Sequence, residues 1–270
     1  MDLRQLGHDG LTLTVVRATT ATKPPVLMVH GILASAWYFE KYQRFFAARG
    51  HDAYAVNLRG REGSRMPARL GRVSLRDFIT DAADAAAMIA GAGAPPIAIG
   101  HSMGGLIVQA LAERGAVRAA TLLCSAPPRG IALVSLKLAL KQLKYAPAIV
   151  LSRPIAPSAD DMKSMALSHV PPDERAELSR RFVPDSGRVA RELSIGAISI
   201  DARRVRCPLL VAAAREDQLV PAAVAVRLAK KYDAPLRMYD GHGHFIMWEP
   251  GWERPAADIA NWMDGLPPRA

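Results

Sequence analysis

The chain has 270 residues, half of them hydrophobic, which suits one large core and excludes the weakly hydrophobic composition of a disordered protein. A net charge of +10 raises nucleic acid as a partner, but the arginines are scattered and no basic run is interleaved with aromatics, so no nucleic-acid partner is expected. No stretch approaches the ~20 apolar residues of a spanning helix and the first residues reach no apolar leader core; the expectation is a soluble, cytoplasmic protein without stable membrane insertion.

Along the chain, His8-Asp9-Gly10 supplies a turn, and Leu11-Thr12-Leu13-Thr14-Val15 alternates as a half-buried strand does. Fully apolar runs follow at Val26-Leu27-Met28-Val29, Ala53-Tyr54-Ala55-Val56, Ile97-Ala98-Ile99 and Leu209-Leu210-Val211-Ala212. Such runs suit strands covered on both faces. Helical patterns lie between them, over residues 37–49, 75–90, 103–114 and 222–231, and a closing helix is predicted over 252–263. Gly50 and Gly115 stand as helix stops. The alternation predicts an α/β fold with a mostly parallel central sheet flanked by helices.

One region breaks that rhythm. Over residues 127–200 no clear strand is visible, while prolines punctuate short helical patterns. A structureless loop of that length does not suit a compact domain. The expected organisation is therefore a core of residues 1–126 and 201–270 with an inserted helical cap, 127–200. In the cap, Lys137, Lys141 and Lys144 share one face at helical spacing. They read as a solvated stripe, or more sharply as a basic surface for an anionic lipid or a carrier's phosphate. Cys124 and Cys207 lack CxxC spacing and adjoin apolar runs, so they read as reduced core thiols.

The chemistry concentrates at Gly100-His101-Ser102-Met103-Gly104-Gly105, between a strand and a helix. A sharp strand-to-helix turn strains its central residue and crowds the positions two before and two after, where glycine is needed. It lifts the serine hydroxyl clear of the sheet and aims the helix N-terminus at a developing oxyanion. A serine needs a base, and the base an orienting acid. Carboxylates follow one later strand at Arg215-Glu216-Asp217, and histidines follow another at Asp240-Gly241-His242-Gly243-His244. Loops at the C-terminal ends of parallel strands share one edge, so these distant residues can converge.

With those pieces in place, the sequence resembles the α/β-hydrolase superfamily, in particular its small esterase and lipase-like members with a helical cap. The matching stretches are His30-Gly31-Ile32-Leu33-Ala34-Ser35, the turn at Gly100 to Gly105, Asp217 with Val220-Pro221, and Gly243-His244 with Glu249-Pro250. The resemblance selects Asp217 over Glu216 and His244 over His242, and leaves His242 as a residue of the turn. It implies a catalytic Ser102–His244–Asp217 triad, with the backbone N–H groups of Met103 and Ile32 as the oxyanion hole. One departure stands out. Where relatives carry Asp-x-Arg-Gly-His-Gly-x-Ser, this chain has Asn57-Leu58-Arg59-Gly60-Arg61-Glu62-Gly63-Ser64, a segment expected chiefly to shape a turn.

The implied reaction is hydrolysis of an ester, thioester or lactone with an apolar acyl group through an acyl-enzyme, without cofactor or metal. Serine at the nucleophile position argues against the dehalogenase and epoxide-hydrolase branches, which use aspartate there. Acyl transfer, lactone formation or lyase chemistry on the same triad are alternatives, as is a low-turnover ligand receptor. The expected substrate-binding residues are Leu33, Trp37, His101, Met162, Met165 and Phe245, with Phe182 and Trp248 nearby in the same role. The small-molecule substrate is the only partner expected.

Overall fold

The structure is a computed structural model that describes residues 3–8, 10–91, 93–133 and 143–267. Strands β1 (Leu3–His8), β2 (Leu11–Val16), β3 (Val26–Val29) and β4 (Ala53–Asn57) open the chain, with helix α1 (Glu40–Ala47) between the last two. Helix α2 (Leu75–Ala90), β5 (Ile97–His101), α3 (Met103–Glu113) and β6 (Ala119–Leu123) follow. After a long interval come β9 (Leu209–Ala214), α8 (Ala222–Tyr232), β10 (Leu236–Tyr239) and α9 (Glu253–Asp264). The interval holds the short elements α4 (Ala146–Val150), β7 (Pro154–Ile155), α5 (Ala159–Met165), α6 (Pro172–Ser179), β8 (Asp185–Ser186) and α7 (Gly187–Ser194).

The described residues form one eight-stranded sheet in the order β1-β2-β4-β3-β5-β6-β9-β10. Within this sheet β2 pairs antiparallel with β1 and β4, and every other pairing is parallel; β7 and β8 form a separate antiparallel pair. The fold is thus the mostly parallel α/β architecture expected from the sequence. The central strands show why their runs are apolar throughout. Leu27 and Val29 pack into one core with α2, α3 and α8, while Val26 and Met28 pack into another with α1 and α9. Both faces are covered, so period-2 alternation has no polar side to report.

Helix α2 begins on a capping box in which the Ser74 hydroxyl accepts from Asp77 N–H and the Asp77 carboxylate accepts from Ser74 N–H. That reciprocal arrangement satisfies two otherwise orphaned donors. Strand β6 was visible in the sequence only as the apolar run Thr121-Leu122-Leu123; it inserts between β5 and β9. Its position sets the spacing between the turn after β5 and the loops after β9 and β10. The chain crosses from β3 to β4 on one side and then to β5 on the other, so the loops after β3 and β5 open a crevice at the carboxyl edge. No helix among the described residues is long and apolar enough to cross a membrane.

Candidate active site

Ser102 joins β5 to α3 with φ 55° and ψ −120°, a conformation that ordinary L-residues avoid. Its backbone is pinned on both sides. The N–H donates to Leu123 O at 3.1 Å, and the carbonyl accepts from Gly105 N–H and Ala126 N–H, each at 2.9 Å. Glycine is demanded on either side by close approach: a Cβ on Gly100 would strike the Gly104 carbonyl, and one on Gly104 would strike that of Val29. Ser102 lines a cavity, and its hydroxyl takes no hydrogen-bond partner among the described residues.

The residues expected to serve as acid and base, Asp217 and His244, stand on the loops after β9 and β10. His244 Nδ1 lies 2.7 Å from Asp217 Oδ2, and both side chains are buried. A carboxylate only accepts, so Nδ1 carries the proton and Nε2 is left with a lone pair. The other oxygen, Asp217 Oδ1, accepts from Leu219 N–H at 2.8 Å and Val220 N–H at 2.9 Å, which fixes the carboxylate's orientation. Glu216 turns away. Its carboxylate is exposed, meets His169 at 2.7 Å and accepts from Gly241 N–H; His169 holds its pKa below the usual range.

His101, the neighbour of Ser102, ties the His244 loop to the serine turn. Its Nε2 donates to the backbone carbonyl of His244 at 2.8 Å, and the two rings lie 4.6 Å apart. Burial, with the neighbouring His244, pushes its pKa far down, so the ring is neutral. The His244 loop also rests on Glu249, which is fully buried. Glu249 Oε2 accepts from Gly243 N–H at 2.7 Å and lies 3.3 Å from His242 Nδ1, and Oε1 accepts from Phe245 N–H at 3.1 Å. The residues on both sides of His244 are therefore held by one carboxylate.

On the opposite wall, the loop after β3 carries Ile32 and Leu33. Neither the Ile32 nor the Met103 N–H donates to a backbone carbonyl in the described turns and loops. The α3 N-terminus adds a favourable dipole at Met103. A Cβ built on Gly31 would lie 3.2 Å from Ser102 Cβ, so this loop runs directly against the serine. Behind it, His30 is buried, and desolvation with the Arg61 charge lowers its pKa to about 3.

The cavity measures about 150 Å³ as far as the described residues enclose it. Ile32, Leu33, Ser102 and Met103 meet Met162, Met165, Tyr145 and Ile149 there, with Leu219 and Val220 from the Asp217 loop. The lining is predominantly apolar. Leu33, Met162 and Met165 thus lie on the cavity wall, as a substrate-binding role requires. The other five expected contacts, Phe182 and Trp248 among them, do not. His101 and Phe245 are fully buried below the site, and Trp37 faces away, its indole N–H donating to Arg181 O at 3.1 Å. These three are structural aromatics: Phe245 packs edge-on to Tyr38 and stacks on Trp248. The proposed lysine stripe falls mostly outside the described residues, since Lys137 and Lys141 are not among them. Lys144 is described, and it pairs with Asp161.

The departure at Arg61 proves to matter more than a turn. Arg61 is fully buried, donates to Ala34 O at 2.5 Å and pairs with Asp185, which is also fully buried. Nothing in the sequence pointed to Asp185. It lies in a two-residue strand that no periodicity can reveal, and its partner is 124 positions away.

A model of the alpha/beta hydrolase family matches residues 26–262. The chain is 26% identical over 279 aligned positions to a monoacylglycerol lipase of Mycolicibacterium smegmatis, covering 95% of this chain and 94% of that protein. Among solved structures, a serine hydrolase from the polyaromatic-hydrocarbon-degrading bacterium Cycloclasticus zankles superposes with a TM-score of 0.75 at 19% identity, covering 98% of each chain. A monoacylglycerol lipase of Paleococcus ferrophilus does so with a TM-score of 0.70 at 21% identity, covering 97% of this chain and 98% of its own.

Proposed function

Since the chain belongs to the alpha/beta hydrolase family, we propose that it hydrolyses carboxylic esters with an apolar acyl group, using Ser102, His244 and Asp217. One observation carries this reading: a buried imidazole has its Nδ1 committed to a buried carboxylate, on loops at the sheet edge where a strained serine faces an apolar cavity. The relative named as a monoacylglycerol lipase supports an acyl ester as the substrate class.

In this mechanism His244 Nε2 accepts the Ser102 proton as the hydroxyl oxygen attacks the acyl carbonyl. Asp217 holds the ring in the tautomer that leaves Nε2 basic and stabilises the imidazolium as it forms. The N–H groups of Met103 and Ile32 receive the oxyanion, a stabilisation worth about 10²–10³ in rate for each such donor. The imidazolium then gives its proton to the leaving alcohol, and water activated by the same nitrogen releases the acid. The described residues between β6 and β9 act as a cap that walls the acyl side with Met162, Met165 and Ile149, supplying apolar surface and excluding water.

The test is covalent labelling. A fluorophosphonate probe is expected to label the wild-type protein and to leave Ser102→Ala unlabelled, while only the wild type turns over p-nitrophenyl esters. Equal labelling of the two proteins would overturn the assignment.

A further inference from the structure

Leu33, the neighbour of the proposed oxyanion donor Ile32, is gripped at both ends of its backbone by the segment between β6 and β9. Its N–H donates to Asp185 Oδ2 at 2.7 Å, and its carbonyl accepts from Val183 N–H at 2.8 Å. Leu33 has φ 66°, a left-handed conformation that a leucine does not adopt without outside support. The support is a charged one. Asp185 Oδ2 also accepts from the Arg61 guanidinium, whose Nε holds the carbonyl of Ala34, and Asp185 Oδ1 accepts from Ser186 N–H at 2.7 Å. Three backbone groups of two consecutive loop residues are thus set by two segments, 61 and 183–185, that lie far apart in the chain.

From this arrangement we infer that Arg61 and Asp185 are positioning residues, through which the insertion holds the 32–34 loop in the shape that turns Ile32 N–H toward the cavity. The inference rests on the ester-hydrolase reading. Burial does not make an ion pair stabilising in itself, since well-packed apolar residues of similar volume serve stability as well or better. What an apolar pair cannot do is accept the Leu33 N–H and hold the Ala34 carbonyl. The arrangement also couples the two parts of the molecule. If the insertion lifted from the core, Leu33 would lose both backbone partners, so the oxyanion hole is complete only when residues 183–186 are seated.

A pair of double variants separates positioning from simple support. Arg61→Met/Asp185→Leu removes both charges together and leaves no buried ion alone. It strips the partners from Leu33 N–H, Ser186 N–H and the Ala34 carbonyl, so it is expected to melt several degrees below the wild type yet stay folded at the assay temperature and keep KM within about threefold, while kcat on a p-nitrophenyl ester falls about tenfold or more, because an oxyanion contact strengthens in the transition state. Arg61→Met/Asp185→Asn retains an amide oxygen for Leu33 N–H, and its kcat is expected between those of the wild type and the first variant. A folded Met/Leu protein with wild-type kcat would overturn the inference, as would a Met/Asn protein no faster than Met/Leu. Should Met/Leu not fold, Met/Asn decides alone, and unchanged kcat in it refutes the positioning role. The underlying reading is checked separately: if wild-type turnover persists in Ser102→Ala, that reading falls and takes this inference with it. If turnover depends on Ser102 yet both double variants match the wild type, the positioning role alone is lost.

Discussion

Replacing Glu249 by glutamine probes how one buried carboxylate governs the histidine loop. The carboxylate offers two accepting oxygens to three groups: Oε2 to Gly243 N–H and His242 Nδ1, Oε1 to Phe245 N–H. Glutamine has a single accepting oxygen. Its best orientation keeps the carbonyl toward Gly243 and turns the NH₂ toward Phe245 N–H, so two donors face each other in a site closed to water. Leaving one buried donor unsatisfied costs about 1–3 kcal/mol, and the unmatched amide adds about 1 kcal/mol. The expected loss is about 2–4 kcal/mol. For a chain of this size each 1 kcal/mol lowers the melting temperature by roughly 2–4 °C, so a drop of about 5–15 °C should appear in calorimetry. Gly243 and Phe245 flank His244, and a displacement approaching 1 Å at a reacting group can cost ~10²-fold in rate. Accordingly, kcat should fall about tenfold or more below the melting range. A variant that melts within 1 °C of the wild type and retains full kcat would refute this account of Glu249.

Ser102→Gly should melt above Ser102→Ala by roughly 2–4 °C, because glycine alone adopts φ 55° without strain, worth about 1 kcal/mol; equal melting points would show that the turn stores none. Acid should destabilise the fold through His30 and His101. Their pKa values are lowered in the folded state, to about 3 for His30, so below 6.5 the unfolded chain binds protons that the native protein refuses. Stability therefore falls as pH drops from 6.5 toward 3, by about 2 kcal/mol at pH 5 from His30 alone, with His101 acting in the same direction. Urea titrations that give the same unfolding free energy at pH 6.5 and pH 5 would contradict this. Both thiols should resist Ellman's reagent in the native protein at pH 8, since burial pushes Cys207 up to about 11 and Cys124 well above its ordinary value. Rapid native-state release of two equivalents of thionitrobenzoate would contradict it.

Most of the sheet was legible because its strands are short apolar runs of a kind that needs no partner to be recognised. Val26–Val29 and Leu75–Ala90 are read with the boundaries the structure has, and the helix expected over 103–114 ends at Glu113, one residue earlier. The serine turn was legible for a related reason: steric crowding at Gly100 and Gly104 is a local matter, written in neighbouring residues. The insertion between β6 and β9 was far less so. Its described elements are of two to eight residues, too short for a period to register, and their stability comes from what they lie against.

The sequence by itself determined the apolar runs that become the parallel strands and the glycine-flanked serine between strand and helix, because each is written in near neighbours; the expected order of acid and base came from the family resemblance. Tertiary structure alone decided which side chains share a space. It moved Trp37, His101 and Phe245 from the cavity wall to its foundations, joined Glu249 to both flanks of His244, and closed Asp185 upon Arg61 across 124 residues. Desolvation is the physical reason. The hydrogen-bonding and charge of a buried polar group must be answered by whatever the fold brings within 3 Å, and no pattern in one segment encodes a partner supplied by another.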